Sequence, residues 1–343
     1  MLYISSRNKM DAFTSNRALC EDRAPDGGLY IPYQIPQVEM AQLNKMREAT
    51  FCENVADILN LFFSVKLTSW DVECAIGRMP VRLMEMSHRL ITAECFHNPE
   101  NTYTYLERGL YRQLRQRESG TITAWARIAI RISVLFALYA IMPETARDSF
   151  DVAVTTGDFS VPMAVWYARE MGLPIRMIIC CCNENGATWD LIQRGEFNAG
   201  MPLVDTAMPE LDHSSPEHIE QLVYHTLGYD RTEAFNAVCQ KRGTFRLEED
   251  EFKVLGEGLA AAVVGRNRIT DTIRSVHRTN QYFVSPHTAI IYGGLQDYRS
   301  RSGESRYTLI LADRSPVLHS DQVCQICGVT KMASEKAVTI TKE

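Results

Sequence analysis

Lysine is missing from the middle of this chain: none stands between Lys66 and Lys241 of its 343 residues. Any chemistry there that needs a primary amine is excluded. Basic charge is short as well, with 36 Lys and Arg against 42 Asp and Glu and a net charge of −6. A nucleic-acid binder needs clustered cations to neutralise phosphates, so no nucleic acid is expected as partner. No apolar run is long enough to read as a bilayer span. The most apolar stretch, Ile132 to Met142, is short and preceded by Arg127 and Arg131, which suits a buried helix. The first residues show no basic segment followed by an apolar one, so no membrane partner and a cytoplasmic location are expected. Repeats and low-complexity stretches are absent. Ten cysteines without a secretion signal read as free thiols in a reducing compartment. The lone Cys324-x-x-Cys327 lacks the second pair that a zinc site needs, and Asp212, His213 and His218 show no ligand spacing, so no metal is expected.

Hydrophobic residues at 45% and charged residues at 23% describe a globular chain long enough for a large core. Residues 1 to about 92 read as turns and helices, and Leu106 to Met142 as a helical block ending before Pro143. Phe150 to Thr156 reads as a strand, Gly157 to Ser160 as a turn, Val161 to Met171 as a helix stopped by Gly172 and Pro174, and Ile175 to Cys182 as a buried parallel strand. Such a βαβ unit places its first turn where phosphates bind. Leu247 to Val264 and Asp271 to Thr279 read as helices. Ser285-Pro286-His287 opens another with serine as cap, and Arg306 to Ala312 reads as the last strand. The class is α/β with a helix-rich N-terminal part.

Seven stretches, in order, resemble threonine synthase. Tyr3-Ile-Ser-Ser-Arg7 and Ala24-Pro-Asp-Gly-Gly-Leu-Tyr-Ile-Pro32 are similar to its opening motifs, and Trp125-Ala-Arg127 to a later helix. Met171 to Ile175 with Asn183-Glu-Asn185, Thr206-x-x-Pro209-x-x-Asp212 with Glu220, Ser285-Pro-His-Thr-Ala289 and Leu311-Ala312 to Pro316 complete the series. The resemblance implies the type II fold of pyridoxal-phosphate enzymes (tryptophan synthase β-like). It divides the chain into an N-terminal region at 1–92, a lysine-helix remnant at 93–145 and a large α/β lobe with a parallel sheet at 146–343.

It also implies losses. In the family's lysine motif, Glu94, Phe96, His97 and Pro99 fix a register that puts Thr104 at the lysine. A hydroxyl cannot form the imine that holds pyridoxal, so no covalently bound cofactor is expected. The Ser-Gly-Asp-Thr-Gly loop and most of the small lobe are missing between Gly120 and Trp125. The phosphate loop reads Thr156-Gly157-Asp158-Phe159-Ser160-Val161, in which Asp158 brings an anion to an anion site. Two such charges about 4 Å apart repel by about 4 kcal/mol at an effective dielectric of about 20. Asp313 stands where the family's threonine faces the pyridine nitrogen.

The residual pocket expected from these matches comprises His97, Arg127, Thr156, Gly157, Asp158, Ser160, Asn183, Asn185, His287 and Asp313. His97 reads as an acid–base group or as an inherited structural position, Arg127 as a phosphate ligand or an ion-pair residue, and Asp158 as a helix cap or a ligand-facing group. His287 and Thr288 also suit a plain helix start. Asn183 and Asn185, past a strand's carboxyl end, stand out as polar pocket residues. Two functions remain open: a pseudoenzyme with a scaffolding or regulatory role, or a repurposed enzyme acting without the cofactor on a small, amino-acid-like or phosphorylated substrate. The face uncovered by the missing lobe makes a homodimer the expected assembly; a small-molecule or protein partner is otherwise unspecified.

Overall fold

The structure is a computed structural model that describes residues 1–78, 80–86, 89–96, 103–116, 120–332 and the backbone of 338–340. A three-stranded sheet opens the chain: β1 (Leu2–Ser5) lies between β2 (Asn8–Thr14) and β3 (Tyr30–Pro32). The sequence motifs explain themselves here. Ser5 Oγ donates to Asp26 Oδ1 (2.7 Å), and Gly28 lies so close that a Cβ would sit 2.1 Å from Ser5 Oγ. Arg7 grips the buried Glu220 with Nε and Nη2 (3.1 and 2.8 Å), and Ser6 bonds the same carboxylate.

The central sheet has seven strands. After β4 (Arg82–Met86), β5 (Leu90–Glu94), β6 (Phe150–Thr155) and β7 (Ile175–Cys182) come a short pair, β8 (Glu196–Asn198) and β9 (Thr244–Arg246), then β10 (Leu259–Val263), β11 (Thr308–Ala312) and β12 (Val338–Ile340). The order is β10-β7-β6-β11-β5-β4-β12, parallel from β10 to β5 and antiparallel beyond. From β6 the chain winds to β7 on one side, whereas β11 flanks β6 on the other. The carboxyl ends of β6 and β11 therefore form a switch point, where open α/β sheets bind ligands. The expected βαβ unit is present, with its helix at Ser160–Glu170.

Two expectations fail. Arg82–Met86 and Leu90–Glu94 are strands, not turns and helices, and the boundary drawn at 92/93 falls inside β5. Leu247 to Val264 is not one helix: Glu249–Gly256 is helical, Gly258 turns at φ +69°, and Leu259–Val263 becomes β10 because it extends the sheet beside β7.

Helices cover both faces. The Ala124–Ile141 helix is apolar apart from Arg127, Arg131 and Ser133 and buried almost throughout, between Phe51–Phe62 and Ser160–Glu170. Its length and composition would suit a membrane span, but it forms the core of this fold. Trp125 Nε1 donates to Tyr3 Oη (2.8 Å), which donates to Phe62 O (2.9 Å). On the opposite face, Arg266–Asn280 and Pro286–Ser302 pack over the sheet. Cys180 faces the first core and Cys181 the second, so these thiols serve as small apolar groups, and all ten cysteines are free. Among the described residues, the Thr104–Leu114 helix stands between β5 and the Ala124–Ile141 helix, and no second parallel sheet is present.

Gly28→Ala is expected to lose about 1–3 kcal/mol of unfolding free energy, because the added Cβ would meet the Ser5 and Ser6 hydroxyls, which are held by hydrogen bonds to Asp26 and Glu220. A urea titration showing wild-type stability for the variant would contradict this packing.

Candidate functional site

At the switch point lies a cavity of about 720 Å³. The β6 end contributes Thr155 and Thr156, the following turn Gly157 and Asp158, and the β11 end Asp313 and Arg314. The Thr104–Leu114 helix supplies one wall, and Arg127 and Arg131 come from the long core helix. The 3₁₀ turn Pro209–Leu211 leans over Gly157.

The turn after β6 is strained in a specific way. Gly157 has φ +46°, and Phe159, fully buried, takes a left-handed φ of 70°. This geometry swings Asp158 back onto the helix start, where Oδ1 accepts the backbone N–H of Ser160 (2.9 Å) and its hydroxyl (2.5 Å). Two arginines answer the carboxylate. Arg127 Nη1 lies 3.3 Å from Asp158 Oδ2, and Arg131 Nη1 donates to Ser160 Oγ (3.2 Å). Arg131 Nε in turn binds the buried Glu107 (2.7 Å), which Arg127 Nε approaches at 3.9 Å. Burial alone would raise the Asp158 pKa; His218, Arg131 and the Ser160 hydrogen bonds overcome it and hold the carboxyl well below its usual range. Burial likewise works against the charge of Arg131, but Glu107 and Asp158 outweigh it and push the guanidinium pKa up.

A second pair faces the cavity from the far side. His287, buried at the start of Pro286–Ser302, places Nε2 2.5 Å from Glu210 Oε1, close but out of hydrogen-bond alignment. Arg314 Nη1 reaches the same oxygen at 3.4 Å. Partial burial would raise the Glu210 pKa, yet His287 and Arg314 bring it down to about 2.

Of the residues expected in a pocket, Arg127, Thr156, Gly157, Asp158, His287 and Asp313 line this cavity, and so does Thr104 at the first turn of its helix. Ser160 sits just beneath it, fully buried. Asn183 and Asn185 do not reach it. Their amides donate to Asp212 Oδ1 (2.6 and 2.9 Å), and Asn185 also donates to Val204 O (2.9 Å), so both fasten the 203–213 loop. His97 lies outside the described residues. Glu107, Arg108, Arg112, Arg131, Glu210 and Arg314 were missed. The i, i+4, i+8 series Thr104, Arg108, Arg112 was the one signal that could have revealed part of this wall. No lysine is among the lining residues. One trio among the described residues, Asp158, Glu217 and His218, brings possible metal ligands within 4.8 Å. Ser160 and Arg127 already engage Asp158, however, and Arg23 pairs with Glu217, so cations of the chain hold the place of an ion.

The first 78 residues carry the similarity most plainly: residues 2–78 match the family described as Threonine synthase N terminus. Human Threonine synthase-like 1 is 28% identical over 187 residues, covering 50% of this chain and 25% of that protein. Threonine synthase of Corynebacterium glutamicum is 27% identical over 228 residues, 63% of this chain and 46% of that one. The matched region thus spans about a quarter of the human relative's length. The PLP-bound threonine synthase structure from Brucella melitensis superposes with a TM-score of 0.84 at 19% identity, over 96% of this chain and 92% of that one, which establishes a shared fold.

Two outcomes follow from the geometry. Asp158→Ala leaves the Ser160 N–H and the arginines without their anion. The variant is expected to lose about 1–2 kcal/mol in anion-free buffer and to regain stability in phosphate, seen as a rise in Tm that wild type does not share. Equal phosphate stabilisation of both proteins would show that Asp158 does not occupy the site. The Glu210 carboxyl, depressed in the fold, contributes stability above its unfolded pKa of 4.5 that is lost as pH falls through about 2. Thermal melts of Glu210→Gln are expected to fall less steeply over that window than wild type; parallel curves would count against the His287–Glu210 pairing.

Proposed function

We propose that this chain, similar in sequence and fold to threonine synthases, is a member of that family that does not run pyridoxal-phosphate chemistry through a lysine imine. We read it as a pseudoenzyme whose cavity holds a small molecule non-covalently in a scaffolding or regulatory role. One observation carries the reading: the Asp158 carboxylate takes the Ser160 N–H at the helix start, the donor that a cofactor phosphate would use. Glu107, Arg131, Asp158 and Arg127 form a closed set of two anions and two cations, which leaves no excess positive charge at the turn for a phosphate dianion. The residues present do not fit that cofactor.

The wall where a lysine is expected supports the same view. Thr104 begins its helix facing the cavity, and none of the lining residues offers an amine. The reduced small lobe leaves the cavity open on one side, which a second copy of the chain would cover. A repurposed, cofactor-independent enzyme is the second reading, and the His287–Glu210 pair favours it. An imidazole beside a carboxylate, both on the cavity wall, is a competent proton-transfer pair.

Incubation of the purified protein with pyridoxal phosphate is expected to give no absorbance band at about 410–430 nm, the region of a protonated lysine imine. Borohydride reduction followed by peptide mass mapping checks this directly. One specifically labelled lysine would overturn the proposal.

A further inference from the structure

The ten cysteines divide by their surroundings. Cys52, Cys95, Cys180, Cys181 and Cys182 are buried, and Cys20, Cys74 and Cys239 stand on three separate helices. Cys324 and Cys327 differ from all of these. Both are half-buried, and they lie three residues apart on the Ser320–Cys327 helix, beyond the cavity. Cys327 packs with Ile326, Val329 and Met332 against the second apolar core, and Cys324 is not part of that contact. Burial, then the nearby Cys324, raises the Cys327 pKa, and Arg274 works against them.

Helix geometry sets what such a pair can do. Residues i and i+3 have Cα atoms about 5 Å apart, inside the window for a disulfide. Their Cβ atoms are about 5–6 Å apart, against the roughly 3.5–4.5 Å that the bond needs. A regular α-turn therefore keeps the thiols close but unbonded. A 3₁₀ turn, in which i and i+3 eclipse, brings them together. The last turn of this helix already lies between the two forms. The Gly328 N–H is shared between Cys324 O, its α-helical acceptor, and Gln325 O (3.3 Å), its 3₁₀ acceptor. Gly328 then turns left-handed at φ 71°, and the Val329 N–H donates back to Cys324 O (3.0 Å).

We propose that Cys324 and Cys327 are a reversible oxidation site, a dithiol that a small-molecule disulfide closes into an intramolecular bond as the last helical turn tightens from α to 3₁₀. The Cys324 thiolate, free of the core, attacks the small disulfide and releases one thiol. The Cys327 thiolate then attacks Cys324 Sγ, which forms the Sγ–Sγ bond and releases the second thiol. The protein loses two electrons and two protons, and the small disulfide gains both. Because the turn must tighten to close the ring, the bond is readily reduced again. A rise of about 2.0 Å per residue in place of about 1.5 Å displaces Cys324 O and takes it from the Val329 N–H. None of this depends on what the cavity holds.

The full chain, equilibrated with mixtures of reduced and oxidised glutathione, alkylated and cut with trypsin, tests the site. The peptide Ser315 to Lys331 contains Cys324 and Cys327 and no other cysteine. In oxidised glutathione it is expected to become lighter by two hydrogens and to escape alkylation, and dithiothreitol is expected to reverse both. Cys327→Ser is expected to hold glutathione on Cys324 as a stable mixed disulfide. In the oxidised protein the Val329 amide is expected to exchange hydrogen about ten-fold faster than in the reduced protein. A peptide that stays reduced in oxidised glutathione alone overturns the proposal. So does a Cys327→Ser variant that takes up no glutathione, or a disulfide that leaves exchange at Val329 unchanged. If the variant fails to fold, the mass shift and exchange of the wild type decide.

Discussion

A carboxylate seated at the first turn of the Ser160–Glu170 helix sets the terms for everything around it. Helix starts present N–H groups with no partner in the helix and a partial positive charge, and they draw an anion. Asp158 supplies that anion from two residues away, at the cost of left-handed backbone at Gly157 and Phe159. Phe159 is held there by complete burial, which offsets about 1 kcal/mol of strain. Once the carboxylate is in place its charge must be answered where solvent is scarce, and Arg127 and Arg131 turn toward it. Arg131 is buried enough to need a second anion, and Glu107 provides it from the neighbouring helix. The chain of pairs ties Thr104–Leu114 to Ala124–Ile141 and so fixes the cavity wall. The sequence alone made Asp158 a source of repulsion for an incoming phosphate. With its arginines in place it is better described as a resident that neutralises them.

The core is built from helices packed on the two faces of one sheet. Phe51–Phe62, Ala124–Ile141 and Ser160–Glu170 bury one another against one sheet face, and Pro286–Ser302 covers the other. The N-terminal sheet joins this body through several polar contacts, two of them central. Tyr3 bridges Trp125 and Phe62, and Arg7 with Ser6 holds Glu220. Each removes a polar group from water only by giving it a partner, so neither half of the contact is stable without the other.

What could be read from the sequence divides along that line between local and distant causes. The βαβ unit, the Ser285 cap and the Asp26-Gly27-Gly28 turn were legible because periodicity, capping and glycine geometry act within a few residues. Leu259–Val263 was misread because three alanines suit either helix or strand, and only the open side of β7 decides between them. Asn183 and Asn185 were placed in a pocket because they follow a strand's carboxyl end. Their partner, Asp212, comes from a loop more than two dozen residues away, and no local rule predicts it. The charge of Asp158 was visible; the arginines that change its meaning were not, since Glu107 and Arg131 face each other only across two helices.

Filling an anion site from within the chain also changes how the fold is stabilised. A protein that leaves a helix start open gains stability only as ligand concentration exceeds its dissociation constant. Here Asp158 is present at fixed, intramolecular concentration, so that end of the cavity is stable whether or not a small molecule is bound.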